Sequence, residues 1–174
     1  MEMNYEIHRK SKNETHVKIS KFVTLLKACT KSKDIEEGIR LHDEILRRGL
    51  LERKNPYISS TLINMYAKFG MLDKAKSVLE KLPVRDTVSW SSLISGYAQQ
   101  DQGEKALECF QQMQNEGLSP DVVTFTCVLK ACGSIRATDI GKEIHDEIVR
   151  KGLLQKDIMV GNALVHMYAK CGFL

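Results

Sequence analysis

Leu62-Ile63-Asn64-Met65-Tyr66-Ala67-Lys68 and Leu164-Val165-His166-Met167-Tyr168-Ala169-Lys170 are two copies of one heptapeptide, 102 positions apart. Three further pairs recur in the same order, each 103 positions apart. Leu26-Lys27-Ala28-Cys29 returns as Leu129-Lys130-Ala131-Cys132, His42-Asp43-Glu44-Ile45 as His145-Asp146-Glu147-Ile148, and Gly49-Leu50-Leu51 as Gly152-Leu153-Leu154. The change from 103 to 102 marks a single slipped residue. The long period subdivides, because Trp90 to Ala98 echoes the Leu-x-x-Tyr-Ala pattern of Leu62 to Ala67. The natural cuts give units 19–55, 56–86, 87–121, 122–157 and a shorter 158–174. Periods of this length signal a solenoid in which each unit packs mainly on its neighbours.

Each unit reads as two helices. Trp90, Leu93, Ile94, Tyr97 and Ala98 fall at i, i+3, i+4, i+7 and i+8, one helical stripe. The equivalent first helices present Phe22, Leu25, Leu26 and Cys29, then Ile58, Leu62, Met65 and Tyr66, then Phe125, Val128, Leu129 and Cys132. Second helices present Ala75, Leu79 and Leu82, then Ala106, Phe110 and Met113, then Ile144, Ile148 and Val149. Gly70, Gly133 and Gly172 are expected just past first helices, and Gly49, Gly117 and Gly152 just past second ones. No strand pattern competes, so the fold class is all-α.

Composition agrees. Of 174 residues, 43% are hydrophobic and 28% charged, a foldable balance. No apolar run is long enough to span a membrane. Five Cys without a C-x-x-C pair do not suggest a disulfide framework and favour a reducing compartment. The net charge of +4 permits nucleic-acid binding without demanding it. Residues 1–18 form a polar N-terminal tail by this reading. They lack the apolar core of a secretory signal, and Glu2, Glu6 and Glu14 make a poor transit peptide.

With these motifs in place the chain resembles a pentatricopeptide repeat protein of the plant type that mixes P, L and S repeats. Residues 19–55 and 122–157 resemble L repeats through Leu-Lys-Ala-Cys and Gly-x-x-x-His. Residues 56–86 resemble an S repeat, 87–121 a P repeat through Thr-Val-Ser-Trp-Ser-Ser-Leu-Ile-Ser-Gly-Tyr, and 158–174 the start of another S repeat. The resemblance implies a right-handed α-solenoid of helix-turn-helix repeats. It implies sequence-specific binding of single-stranded RNA in a mitochondrion or chloroplast, one base per repeat, often as the recognition module of cytidine-to-uridine editing with editing-complex proteins as partners. Because the chain stops at Leu174, inside a repeat, no C-terminal deaminase-like domain is expected.

The same resemblance assigns base reading to the fifth and last positions of each repeat. Those are Ser60 with Asp86, Ser91 with Asp121, and Thr126 with Asp157, all implying guanine. Val23 with Asn55 is an uninformative pair, and Asn162 suggests a pyrimidine. The implied RNA preference is any-G-G-G-pyrimidine. Second positions, which tend to sandwich the base, are Tyr57, Val88, Val123 and Met159, with Ser20 departing from the apolar pattern. The chemistry is consistent: a hydroxyl donates or accepts, whereas an ionised Asp only accepts and suits a base presenting N–H groups. The same Ser, Thr and Asp residues are also favoured helix caps, and both roles can hold together. Lys27, Lys68, Lys130 and Lys170 recur late in first helices, where they suit either phosphate or the helix C-terminal dipole.

Catalytic and metal readings find little support. His42-Asp43-Glu44 and His145-Asp146-Glu147 contain the H-x-E of zinc deaminases, but no Pro-Cys-x-x-Cys follows. Both His residues recur at one repeat-equivalent place, which favours packing. Cys29 and Cys132 lie on the apolar stripe and read as core, as does Trp90. No enzyme, cofactor or metal is expected. Two alternatives stay open. One is a protein-interaction scaffold, a reading helped by the net −4 of unit 87–121. The other is an inactive truncated product, self-associating through an uncapped C-terminal helix. Whether the three Ser/Thr–Asp pairs line one groove discriminates between RNA and protein as partner.

Overall fold

The computed structural model describes residues 19–51 and 56–173. The proposed tail and Asn55 lie outside the described residues. Helix α1 covers residues 19–32. It is followed by α2 (Ile35–Arg47), α3 (Pro56–Lys68), α4 (Leu72–Glu80), α5 (Thr87–Gln99), α6 (Gly103–Asn115), α7 (Val122–Ile135), α8 (Thr138–Arg150) and α9 (Ile158–Lys170). Among the described residues there is no strand. The result is an all-α solenoid of helical hairpins.

Two kinds of turn punctuate it. Between second helices and the next first helix, Gly49, Gly117 and Gly152 take positive φ. Between the two helices of a hairpin, the left-handed position is held by Lys33, Gly70, Asp101 and Arg136. Gly133 is a correction to the expectation above: it sits inside α7, which runs on to Ile135 and ends at Arg136 with φ 55°. Its missing side chain serves packing instead, since a Cβ there would lie 3.3 Å from Lys170 Cβ and 3.4 Å from Met167 Cα.

The odd-numbered helices pack directly on one another, α3 on α5, α5 on α7 and α7 on α9, while the even ones pack on odd helices. Small residues allow the close approach. A Cβ on Gly96 of α5 would lie 2.6 Å from Ala67 Cβ of α3. The odd helices run parallel. Gln100 Nε2 donates to Ala67 O at 2.9 Å, joining the C-terminal ends of α5 and α3, and Thr87 Oγ1 donates to Ser119 O at 3.2 Å, joining the start of α5 to the segment entering α7. Close odd helices and spread even ones make the odd layer the inner, concave side. Between the layers runs one apolar core, including Leu26, Leu62, Tyr66, Leu93, Phe125, Leu129 and Met167.

The two copies of the recurring His make the same contact. His42 Nδ1 lies 2.7 Å from Tyr66 Oη, and His145 Nδ1 lies 2.9 Å from Tyr168 Oη. Beside each pair a glycine makes room for a methionine: a Cβ on Gly38 would lie 2.8 Å from Met65 Sδ, and one on Gly141 2.7 Å from Met167 Sδ. The Gly-x-x-x-His of an even helix is therefore a socket for the Met-Tyr of the next odd helix. Burial, against the opposing pull of Asp43, holds the His42 imidazole below its ordinary 6.5, with Lys81 and Lys74 adding to the depression. The folded state thus favours the neutral ring. That stability is present above about pH 6.5 and is lost as pH falls through the depressed folded value. Melting at about pH 7.5 and about pH 5.5 should therefore cost the native chain more than His42→Phe. Equal losses would show that His42 contributes nothing to acid sensitivity.

Candidate nucleic-acid interface

Parallel odd helices bring their first turns to one edge of the inner layer. The second residue of each is apolar and turned to solvent: Tyr57 is 71% exposed, Val88 48%, Val123 54% and Met159 61%. Four such side chains, one per helix, form a row that the core does not claim. Ser20, in α1, is exposed as well.

The residue before each of the last three odd helices is an Asp at its N-cap. Asp86 Oδ1 accepts from Ser89 N at 2.8 Å, Asp121 Oδ1 from Thr124 N at 2.7 Å, and Asp157 Oδ1 from Met159 N at 2.8 Å. At Asp86 the cap is reciprocal, because Ser89 Oγ accepts from Asp86 N at 3.0 Å. Each cap engages Oδ1, and a carboxylate with about four acceptor sites retains Oδ2 for other donors. A cap of this kind stabilises its helix by about 1 kcal/mol.

The fifth residues bond within their own helices. Ser60 Oγ donates to Tyr57 O at 3.3 Å, Ser91 Oγ to Val88 O at 3.1 Å and Thr126 Oγ1 to Val122 O at 2.8 Å. Their hydroxyl lone pairs remain, so in this arrangement they accept. Ser60 and Ser91 are buried, keeping 9% and 5% exposure, Thr126 is half-buried and Asn162 is exposed. Because α3 neighbours α5, α5 neighbours α7 and α7 neighbours α9, each Ser or Thr shares its edge with the Asp of the following helix. Val23 is half-buried in α1.

Lys27, Lys68, Lys130 and Lys170 are all exposed. They lie toward the far end of the odd helices, about 10–16 Å along the axis from the second residue at 1.5 Å per residue. Three of the five acids of unit 87–121 sit elsewhere. Glu104 and Glu108 are on α6 of the outer layer, and Glu116, just past it, pairs with Arg85 at 2.8 Å. Glu116 also accepts from Trp90 Nε1 at 2.9 Å, and Trp90 is buried, a core residue rather than a stacking platform. Among the described residues no group of three or more His, Cys, Asp or Glu is placed to hold a metal ion. Burial pushes the Cys109 thiol up to about 11 and the Cys132 thiol up to about 12, so both stay protonated as small core residues.

A PPR repeat model matches residues 22–50, 57–86 and 123–153, and a PPR repeat family model matches residues 85–134. The chain belongs to the PPR repeat family. Among its relatives, the chloroplastic pentatricopeptide repeat-containing protein At4g25270 of Arabidopsis thaliana is 43% identical over 153 residues, which are 87% of this chain and 28% of that protein. The chloroplastic protein CRR2 of the same plant is 40% identical over 159 residues, 88% of this chain and 24% of its own length. This PPR chain thus spans about a quarter of the length of these relatives. Of solved structures, PPR10 from maize superimposes with a TM-score of 0.68 at 22% identity, over 87% of this chain and 22% of that one. PPR10 has also been solved with an 18-nt psaJ RNA element, and that structure superimposes with a TM-score of 0.66.

Two features of the PPR edge escape a reading of fifth and last positions. Ser89 and Thr124, three residues into the cap motif, bond to the capping Asp residues. The only signal for them is the Asp-x-x-Ser/Thr spacing itself, which reads as an ordinary cap.

Proposed function

We propose that this PPR chain is a recognition module for single-stranded RNA. The observation that carries the proposal is the row of Tyr57, Val88, Val123 and Met159, exposed at one edge with a capping Asp beside three of its four members. A splayed base stacks between successive side chains of such a row, and its edge meets the Asp and the Ser or Thr. Guanine offers adjacent N–H donors, which suits Oδ2 of Asp86, Asp121 and Asp157. The preferred strand is any-G-G-G-pyrimidine, read by repeats in the order L-S-P-L-S. Lys27, Lys68, Lys130 and Lys170 serve the phosphates from the far end of the same helices. The names of chloroplastic relatives and the RNA-bound structure of PPR10 support organelle transcripts as targets; processing or editing is the setting this reading assigns to them.

Fluorescence anisotropy with short RNAs at two salt concentrations tests this. A G-G-G core should bind better than A-A-A, U-U-U or a duplex. Asp121→Asn, whose amide can donate as well as accept, should lose about tenfold in preference at the third base. Equal binding of all strands that vanishes with salt would reduce the interface to charge alone.

A second reading, a protein-interaction scaffold, is favoured by one observation. A groove of about 790 Å³ lies between α6 and α8 on the outer side, with Leu107 and Ile144 in its lining beside Glu104, Glu108 and Glu143. The same titration separates the two: failure of every RNA to bind leaves this groove as the functional face.

A further inference from the structure

The three capping carboxylates are held unequally. Asp121 Oδ1 accepts two hydrogen bonds from Thr124, from N and from Oγ1, each 2.7 Å. Asp86 Oδ1 accepts from Ser89 N, and the Ser89 hydroxyl turns instead to the Asp86 backbone, donating to its carbonyl at 2.9 Å. Asp157 Oδ1 accepts from Met159 N, and the residue three places on, Val160, has no hydroxyl. Thr124, Ser89 and Val160 are fully buried, so none of them can touch RNA, while Asp121 is exposed and Val123, adjoining Thr124, is one of the exposed row.

We infer that Thr124 is a positioning residue that acts through Asp121, and that the third residue after each capping Asp grades base discrimination along the chain. The inference rests on the RNA reading proposed above. The terminal torsion of an Asp side chain is broad, so a carboxylate held by one bond swivels at little cost. Two donors converging on Oδ1 fix the carboxylate plane and leave Oδ2 in a set position. A base with N–H groups in that position binds without further ordering of the side chain, and a mismatched base finds no rotated carboxylate to suit it. Discrimination is therefore strongest for the base read by repeat 87–121 and weaker for those read by 56–86 and 122–157, whose carboxylates are each held by one bond.

The test compares RNAs carrying G or A at the third base, and separately at the fourth. In the native chain the third base should show a preference of about tenfold. Thr124→Val keeps the volume and the backbone cap but removes the second donor, and should reduce the preference to about twofold by freeing the carboxylate. Val160→Thr adds the missing donor beside Asp157 and should raise the preference at the fourth base about threefold. That gain decides the matter should Thr124→Val fail to fold, and a purely structural hydroxyl would not produce it. Native preference with Thr124→Val unchanged, or no gain at the fourth base with Val160→Thr, overturns the inference and leaves the RNA reading standing. A native chain without preference at the third base overturns the RNA reading itself.

Discussion

The double variant Val88→Asp, Val123→Asp is expected to bind single-stranded RNA about a hundredfold more weakly than the native chain, each site contributing about 1–1.5 kcal/mol. The reasoning is local. Both side chains are about half-exposed, each on the second residue of its helix, so the fold loses almost nothing when they change. A base lodged between them would lose an apolar contact on both faces and gain two carboxylates close to its phosphates. Exposed substitutions of this kind usually stay within about 0.5 kcal/mol in stability. Melting temperature should therefore hold while binding collapses. If both hold, the exposed row is not the platform, and the base-reading edge must be sought elsewhere.

The second large effect concerns the fold. Gly96→Leu should destabilise the chain by about 3 kcal/mol, seen as a melting temperature lower by about 10 °C. The first atom of any side chain at Gly96 would already lie 2.6 Å from Ala67 Cβ and 3.1 Å from Leu72 Cδ2. Neither neighbour is the free end of a long side chain, so α3 and α5 must separate. Gly117→Ala is the companion measurement. Nothing lies within 4 Å of its Cβ, and only the positive φ of 75° is strained. Its cost should be about 1 kcal/mol. Similar losses at the two sites would mean that backbone strain, not the α3–α5 approach, governs both.

How far the sequence carries can be judged from particular residues. The hairpin units are legible because their core is periodic: Trp90, Leu93, Ile94 and Tyr97 are all buried on the face that their spacing assigns. The His residues are legible as packing residues because they recur at one place in the repeat. The turns within hairpins are not. Lys33, Asp101 and Arg136 occupy a left-handed position that glycine would fill at less strain, so composition gives no warning of them. Gly133 misleads for the complementary reason. It looks like a helix end, yet it lies inside α7, where the approach of α9 crowds the place of a side chain. At the edge, the Asp caps and exposed second residues follow from helix starts. The burial of Ser60 and Ser91 does not, because it depends on neighbouring helices whose spacing no single repeat encodes.

The direct packing of odd helix on odd helix sets a ruler. Packed helices stand about 8–10 Å apart. Nucleotides stacked as in one strand of a duplex advance only about 3.4 Å each. A strand read once per division of this ruler cannot keep its own stack, and must be drawn out until protein side chains replace the neighbouring bases. On the proposed reading the module would therefore compete with every hairpin its target can form, and its grip on a strand would measure how little that stretch of RNA is folded as much as which bases it carries.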